Sequence, residues 1–61
     1  MSLYYYLIVT DIGLANGGQY RDRVASRIAA LQENGFNILE VIRINKITHE
    51  RESLALKEFM G

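Results

Sequence analysis

Apolar and aromatic side chains run almost unbroken from Leu3 to Thr10 (LYYYLIVT), and the run stops at Asp11–Gly13. Aromatic and β-branched residues bounded by turn formers predict a strand. Alternation places Leu3, Tyr5, Leu7 and Val9 on one face and Tyr4, Tyr6, Ile8 and Thr10 on the other. Neither set is polar, so the strand asks for cover above and below. After the glycines the pattern changes. Tyr20, Val24, Ile28 and Leu31 recur at spacings of four, four and three, a single helical stripe, with Asp22, Ser26 and Glu33 on the opposite side. Asn16 has the chemistry of an N-cap and Gln19 stands three residues on, as in a capping box, with Ala15 and Tyr20 at the staple positions. A helix is therefore expected from about Asn16. It should close in ENGF, where Gly35 suits the left-handed position and Phe36 folds back on the last turn.

A second strand is predicted over Ile38–Ile44, with Ile38, Glu40, Ile42 and Ile44 alternating against Leu39, Val41 and Arg43. Thr48 is placed to cap a short terminal helix. Glu50 and Glu52 would lie in its first turn, at the positive end of the dipole, and Leu56, Phe59 and Met60 along one side. A first helix of about seventeen residues returns the chain by about the length of the first strand. The second strand should then run parallel to the first through a right-handed crossover. The expected fold class is α/β, a small β-α-β-α unit with two parallel strands and one domain over residues 1–61. Two strands are too few to stand alone, so the sheet is expected to be completed by oligomerisation.

Size and composition sharpen that expectation. A 61-residue chain buries only about 60% of the surface that it exposes when unfolded. Disulfides, a metal or oligomerisation commonly support such domains. There is no cysteine and a single histidine, His49, so self-association is the remaining device. Seven basic and seven acidic residues give zero net charge, which weakens a reading based on non-specific phosphate contacts. The apolar run is too short to span a bilayer. It lacks a basic leader and is followed by Asp11, so it is not read as a signal peptide. A cytoplasmic protein with no membrane partner is expected.

Candidate chemistry is sparse. Gly13 and Gly18 have the spacing of P-loop glycines, but Gln19 and Tyr20 stand where Lys and Ser or Thr would hold phosphate and magnesium. The segment reads as a connection and a cap. A weaker form survives, in which Asn16, Gly17 and Gly18 with Arg21, Arg23 and Arg27 contact an anion or nucleic acid at the helix start. His49 has no spaced partner, and Asp11, Glu50 and Glu52 form no metal set. No enzyme activity, cofactor or metal is expected.

The second apolar face carries the functional expectation. Tyr4, Tyr6 and Ile8, with Leu39, Val41 and Arg43, are taken as the oligomer and partner interface. The two faces could be exchanged, because strand register is not readable from one sequence. An exposed apolar patch marks an interaction surface, and tyrosine and arginine are favoured anchors. The chain therefore reads as a small non-catalytic regulatory protein, a homodimer or higher oligomer that binds or inhibits a larger protein. Its size suits accessory proteins of bacteria, phages or other mobile elements. The alternative is a nucleic-acid-binding module built on the 16–18 loop, Arg21, Arg23 and Arg27, with exposed tyrosines as stacking platforms.

Overall fold

A computed structural model describes residues 3–59. Its elements are β1 (Tyr4–Thr10), β2 (Gly13–Gly18), α1 (Arg21–Glu33), β3 (Ile38–Asn45) and β4 (Arg51–Leu54), followed by a 3-10 turn at Leu56–Glu58. The strands form one sheet in the order β2-β1-β3-β4, and every neighbouring pair is antiparallel. This corrects the expected β-α-β-α unit with two parallel strands. The helix does join two strands that run the same way, since β2 and β3 are each antiparallel to β1. They lie on either side of β1, and β1 is not the strand that feeds the helix.

The segment GLANGG, expected as a loop and helix start, is strand β2. The connection from β1 is two residues long, Asp11–Ile12, between the paired Thr10 and Gly13. Gly13 supplies the positive φ (143°) that lets so short a turn close. Thr10 Oγ1 donates to the Gly13 carbonyl at 2.7 Å and pins the turn. Further along, Leu7 pairs with Asn16 but Tyr6 pairs with Gly18, leaving Gly17 as a bulge residue. A Cβ at Gly17 would lie 2.9 Å from Tyr6 Cβ. Asn16 is therefore not the helix cap. Its Oδ1 accepts from the Gly18 N–H at 2.8 Å, and the cap position falls to Tyr20, whose side chain makes no capping bond.

The expected terminal helix is also corrected: Arg51–Leu54 forms β4, and only Leu56–Glu58 turns helically. Asn45 Oδ1 accepts from the N–H groups of Ile47 (2.8 Å) and Thr48 (3.0 Å), which starts a hairpin loop. Thr48 Oγ1 accepts from Glu50 N–H as part of that loop. His49 completes the reversal at φ 64°, a conformation that an L side chain disfavours. Met60, placed in the expected terminal stripe, lies outside the described residues. Relief of the His49 backbone should outweigh the added chain entropy of glycine, so His49→Gly is expected to stabilise the fold by about 0.5–1 kcal/mol. A urea midpoint unchanged or lowered by that substitution would contradict this.

The core lies between α1 and one sheet face. Ile8, Val24, Ile28 and Val41 are wholly buried, and Tyr6, Leu54 and Phe59 nearly so. The helical stripe thus delivers Val24 and Ile28, while Tyr20 stays 56% exposed. The helix ends as the ENGF pattern predicts. Gly35 sits at φ 91°, its N–H donates to Gln32 O, and Phe36 N–H donates to Leu31 O. Phe59 closes the open end of this layer, its ring edge-on to Tyr6 at 6.3 Å between centroids.

Candidate functional site

Directly opposed residues of an antiparallel ladder share a face. The register therefore sorts the sheet completely. Ile8 opposes Ala15 and Val41, and Val41 opposes Leu54; this face lies under α1. The other face carries Leu7 with Ile42, Tyr5 with Ile44, and Val9 between Leu14 and Glu40. Among the described residues no helix lies on that second face: the only helices, α1 and the terminal 3-10 turn, belong to the first. Tyr5, Leu7, Val9 and Ile42 are half-buried by their neighbours alone, and Leu14 is 66% exposed. Ile44 is buried yet stands outside the core cluster. Polar groups rim this apolar centre: Asn16 beside Leu7, Ser53 beside Ile42, and Arg51 beside Ile44. Glu40 sits at the opposite end of β3 from Arg51 and accepts a 2.7 Å hydrogen bond from Ser53 Oγ.

The faces are thus exchanged relative to the set Tyr4, Tyr6, Ile8, Leu39, Val41 and Arg43. Tyr6, Ile8 and Val41 are core residues beneath α1. Tyr4 and Arg43 are half-buried on the same side of the sheet. The Arg43 guanidinium lies 4.5 Å from the Tyr4 ring centroid and pairs with Glu52. The hydrogen bond that Arg43 donates to Glu52, with the charge of that carboxylate, holds the Arg43 pKa above the usual arginine value against a lowering by desolvation. Leu39 alone of the six remains largely exposed, at 62%. A bulge between the pairs Val9–Glu40 and Thr10–Ile38 turns it out of the ladder.

A second feature lies at the end of the sheet where β2 leaves for α1. There a groove of about 450 Å³ is lined by Tyr5, Asn16–Tyr20, Arg23, Arg27 and Lys46. Asn16, Gly17, Gly18, Arg23 and Arg27 come together as the sequence suggested. Arg21 does not join them: it lies 4.8 Å from the Phe59 ring centroid and reaches Glu58 at 3.5 Å. Lys46 was missed. It stands after β3 and reaches the groove only because β3 pairs with β1, and its Nζ donates to Gln19 Oε1. No local signal in the sequence foretells that encounter. The Gly18 N–H is already bonded to Asn16, so the glycine amides are not the free cradle of a phosphate loop.

Asp11 has a structural task. Its two oxygens accept from Asn37 N (3.3 Å) and Asn37 Nδ2 (3.1 Å), and its own N–H donates to Asn37 O (3.0 Å). That tie closes the end of the β1–β3 pair. Among the described residues no three His, Cys, Asp or Glu side chains gather as a metal set, and no helix is long and apolar enough to cross a membrane. Compared with family models, curated proteins and solved structures, this chain matches none, so its function is argued from these two surfaces alone.

Proposed function

We propose that this chain is a non-catalytic binding protein of the cytoplasm that acts as a homo-oligomer, its open sheet face packed on that of a second copy, and that the assembly binds or restrains a larger protein. One observation carries the reading: the sheet face opposite α1 has an apolar centre, and among the described residues no helix lies over it. Two such faces stacked about 10 Å apart make a sandwich, the usual way for a one-sided antiparallel sheet to bury its second side. An apolar centre with a polar rim is also the ordinary anatomy of a protein interface.

The second copy is favoured over other occupants by charge. Glu40 on β3 and Arg51 on β4, beside Ile44, stand at opposite ends of the apolar centre. A two-fold axis lying between the sheets and across the strands reverses one row over the other. Glu40 of each copy then comes over the Ile44 end of its mate's β3, beside Arg51 on the adjacent strand, so the face is complementary to itself. The larger partner would meet what pairing leaves exposed, including Leu39 at 62% and Ile47 at 75%.

Sedimentation across micromolar concentrations tests the pairing. The wild-type chain should associate, and Leu7→Glu should weaken association by at least about a hundredfold, since a charge then lies buried without a partner. Ser26→Glu, on the exposed helix side, should change nothing. Glu40→Arg and Arg51→Glu should each weaken the assembly, and the two together should restore it. A strict monomer at high micromolar concentration would remove self-pairing from the proposal.

A further inference from the structure

We propose that the groove at the β2–α1 junction binds one nucleoside phosphate, with the phosphate held by Arg23, Arg27 and Lys46 and the base laid against the Tyr20 ring. Its cations lie off the open sheet face, which the groove borders at Tyr5 and Asn16. The assignment rests on where unpaired charge collects in a chain of zero net charge.

The cations of the molecule are not used alike. Arg21 and Arg43 are tied to Glu58 and Glu52. Arg23, Arg27 and Lys46 have no carboxylate partner among the described residues, and no carboxylate lines the groove in which they meet. They arrive from two sides, Arg23 and Arg27 from the first turns of α1 and Lys46 from beyond β3. Like charges gathered without an acid repel one another, a cost that an anion removes. Gly18, at φ 80°, brings the backbone beside Arg27: a Cβ there would meet Arg27 Nε at 3.5 Å and Nη2 at 3.6 Å, in ordinary contact. The start of α1 adds the positive end of a thirteen-residue helix whose cap residue, Tyr20, offers no side-chain acceptor to the first amides.

Phosphate alone would not need the rest of the lining. Tyr20 is 56% exposed, and Arg23 stands 5.8 Å from its ring centroid, so an aromatic face and a phosphate-binding cation are adjacent. That pairing of stacking surface and cation is how single nucleotides are held without base-specific contacts. Asn16 Oδ1 accepts from the Gly18 N–H, which leaves its amide N–H donors for a base edge or a sugar. The volume, about 450 Å³, is within the range of small-ligand sites. The same chemistry is presented by a free nucleotide and by a link of single-stranded nucleic acid.

The test is a titration of the isotope-labelled chain, followed by backbone amide shifts, with inorganic phosphate, a nucleoside monophosphate and a single-stranded deoxythymidine oligomer in separate arms. The monophosphate should shift Gly18, Tyr20, Arg23, Arg27 and Lys46 at concentrations at which inorganic phosphate binds about tenfold more weakly. Arg27→Gln should weaken binding about tenfold, and Lys57→Gln, on the far turn, should leave it unchanged. Tyr20→Leu should abolish the preference over inorganic phosphate while phosphate itself still binds. If the oligomer binds more tightly than the monophosphate, its log–log salt slope should be no steeper than about −2, the release expected from three cations on a single strand; the source is then a strand, and otherwise a free nucleotide. Equal binding of inorganic phosphate and monophosphate, shifts spread over the whole surface, an equal loss with Lys57→Gln, or no shift with any probe would each overturn the proposal. An intact amide spectrum in each variant separates lost binding from lost folding.

Discussion

Ile8→Ala should remove a large share of the fold's stability at room temperature, whereas Leu7→Ala, one residue away, should be tolerated. Ile8 is wholly buried between β2, β3 and α1, opposite Ala15 and Val41. Removing three carbons there loses their transfer energy and leaves a cavity, together about 2–5 kcal/mol for such sites. A domain of this length has about 3–9 kcal/mol in all. Leu7 points to the open face and is only partly buried there, so its truncation in a monomer should cost about 1 kcal/mol. Urea unfolding followed by circular dichroism separates the two. Equal losses would mean that the faces are assigned the wrong way round. The same experiment bears on function. If the open face pairs with a second copy, the wild-type midpoint rises with protein concentration, because the assembly binds only folded chains. In Leu7→Glu that rise should vanish.

The parts of this fold that were legible in the sequence are those with a dense apolar signal. The run through Tyr4–Thr10 and the alternation of Ile38–Ile44 gave their strands, and Val24 and Ile28 lie in the core where the helical spacing put them. The ENGF stop was readable because a positive-φ glycine followed by an apolar residue has one common use. β2 was not readable. Of its six residues three are glycine, and glycine in a strand has neither propensity nor packing to announce it. It becomes a strand because the edge of β1 needs a partner and Gly13 lets the chain turn back at once. That edge is a tertiary fact. β4 has four residues, of which only Leu54 is buried, and its charges suit a first helical turn equally well. The face assignment failed for a related reason: with apolar residues at every position of β1, only the register with β2 and β3 decides which set the helix covers. Of the groove, the half carried on β2 and α1 was legible as a local cluster, and Lys46 was not.

Gly17→Ala should be the most damaging change outside the core, and it joins the fold to both surfaces. The new Cβ would lie 2.9 Å from Tyr6 Cβ, 3.0 Å from Tyr6 O and 3.2 Å from Tyr6 C. None of these atoms can swing aside by a change of rotamer, because they are backbone and the root of a buried side chain. The strands must part instead, at a cost of about 1–3 kcal/mol, and Tyr6 carries the edge contact that holds Phe59. Gly17 has ordinary φ, so the penalty is one of space; Gly13 and Gly35, where nothing lies within 4 Å, would suffer only the strain of positive φ. The two kinds of cost can be told apart. Gly35→Asn should recover part of the loss of Gly35→Ala, since asparagine tolerates the left-handed region better than alanine does, whereas Gly17→Asn should be worse than Gly17→Ala. Because the bulge sets where Asn16 turns to the open face and where Gly18 meets Arg27, Gly17→Ala should also weaken self-association and shift the Gly18 and Arg27 amides together. A Gly17→Ala chain with wild-type stability and an unchanged Gly18 amide would show that β2 does not approach Tyr6 as closely as this fold requires.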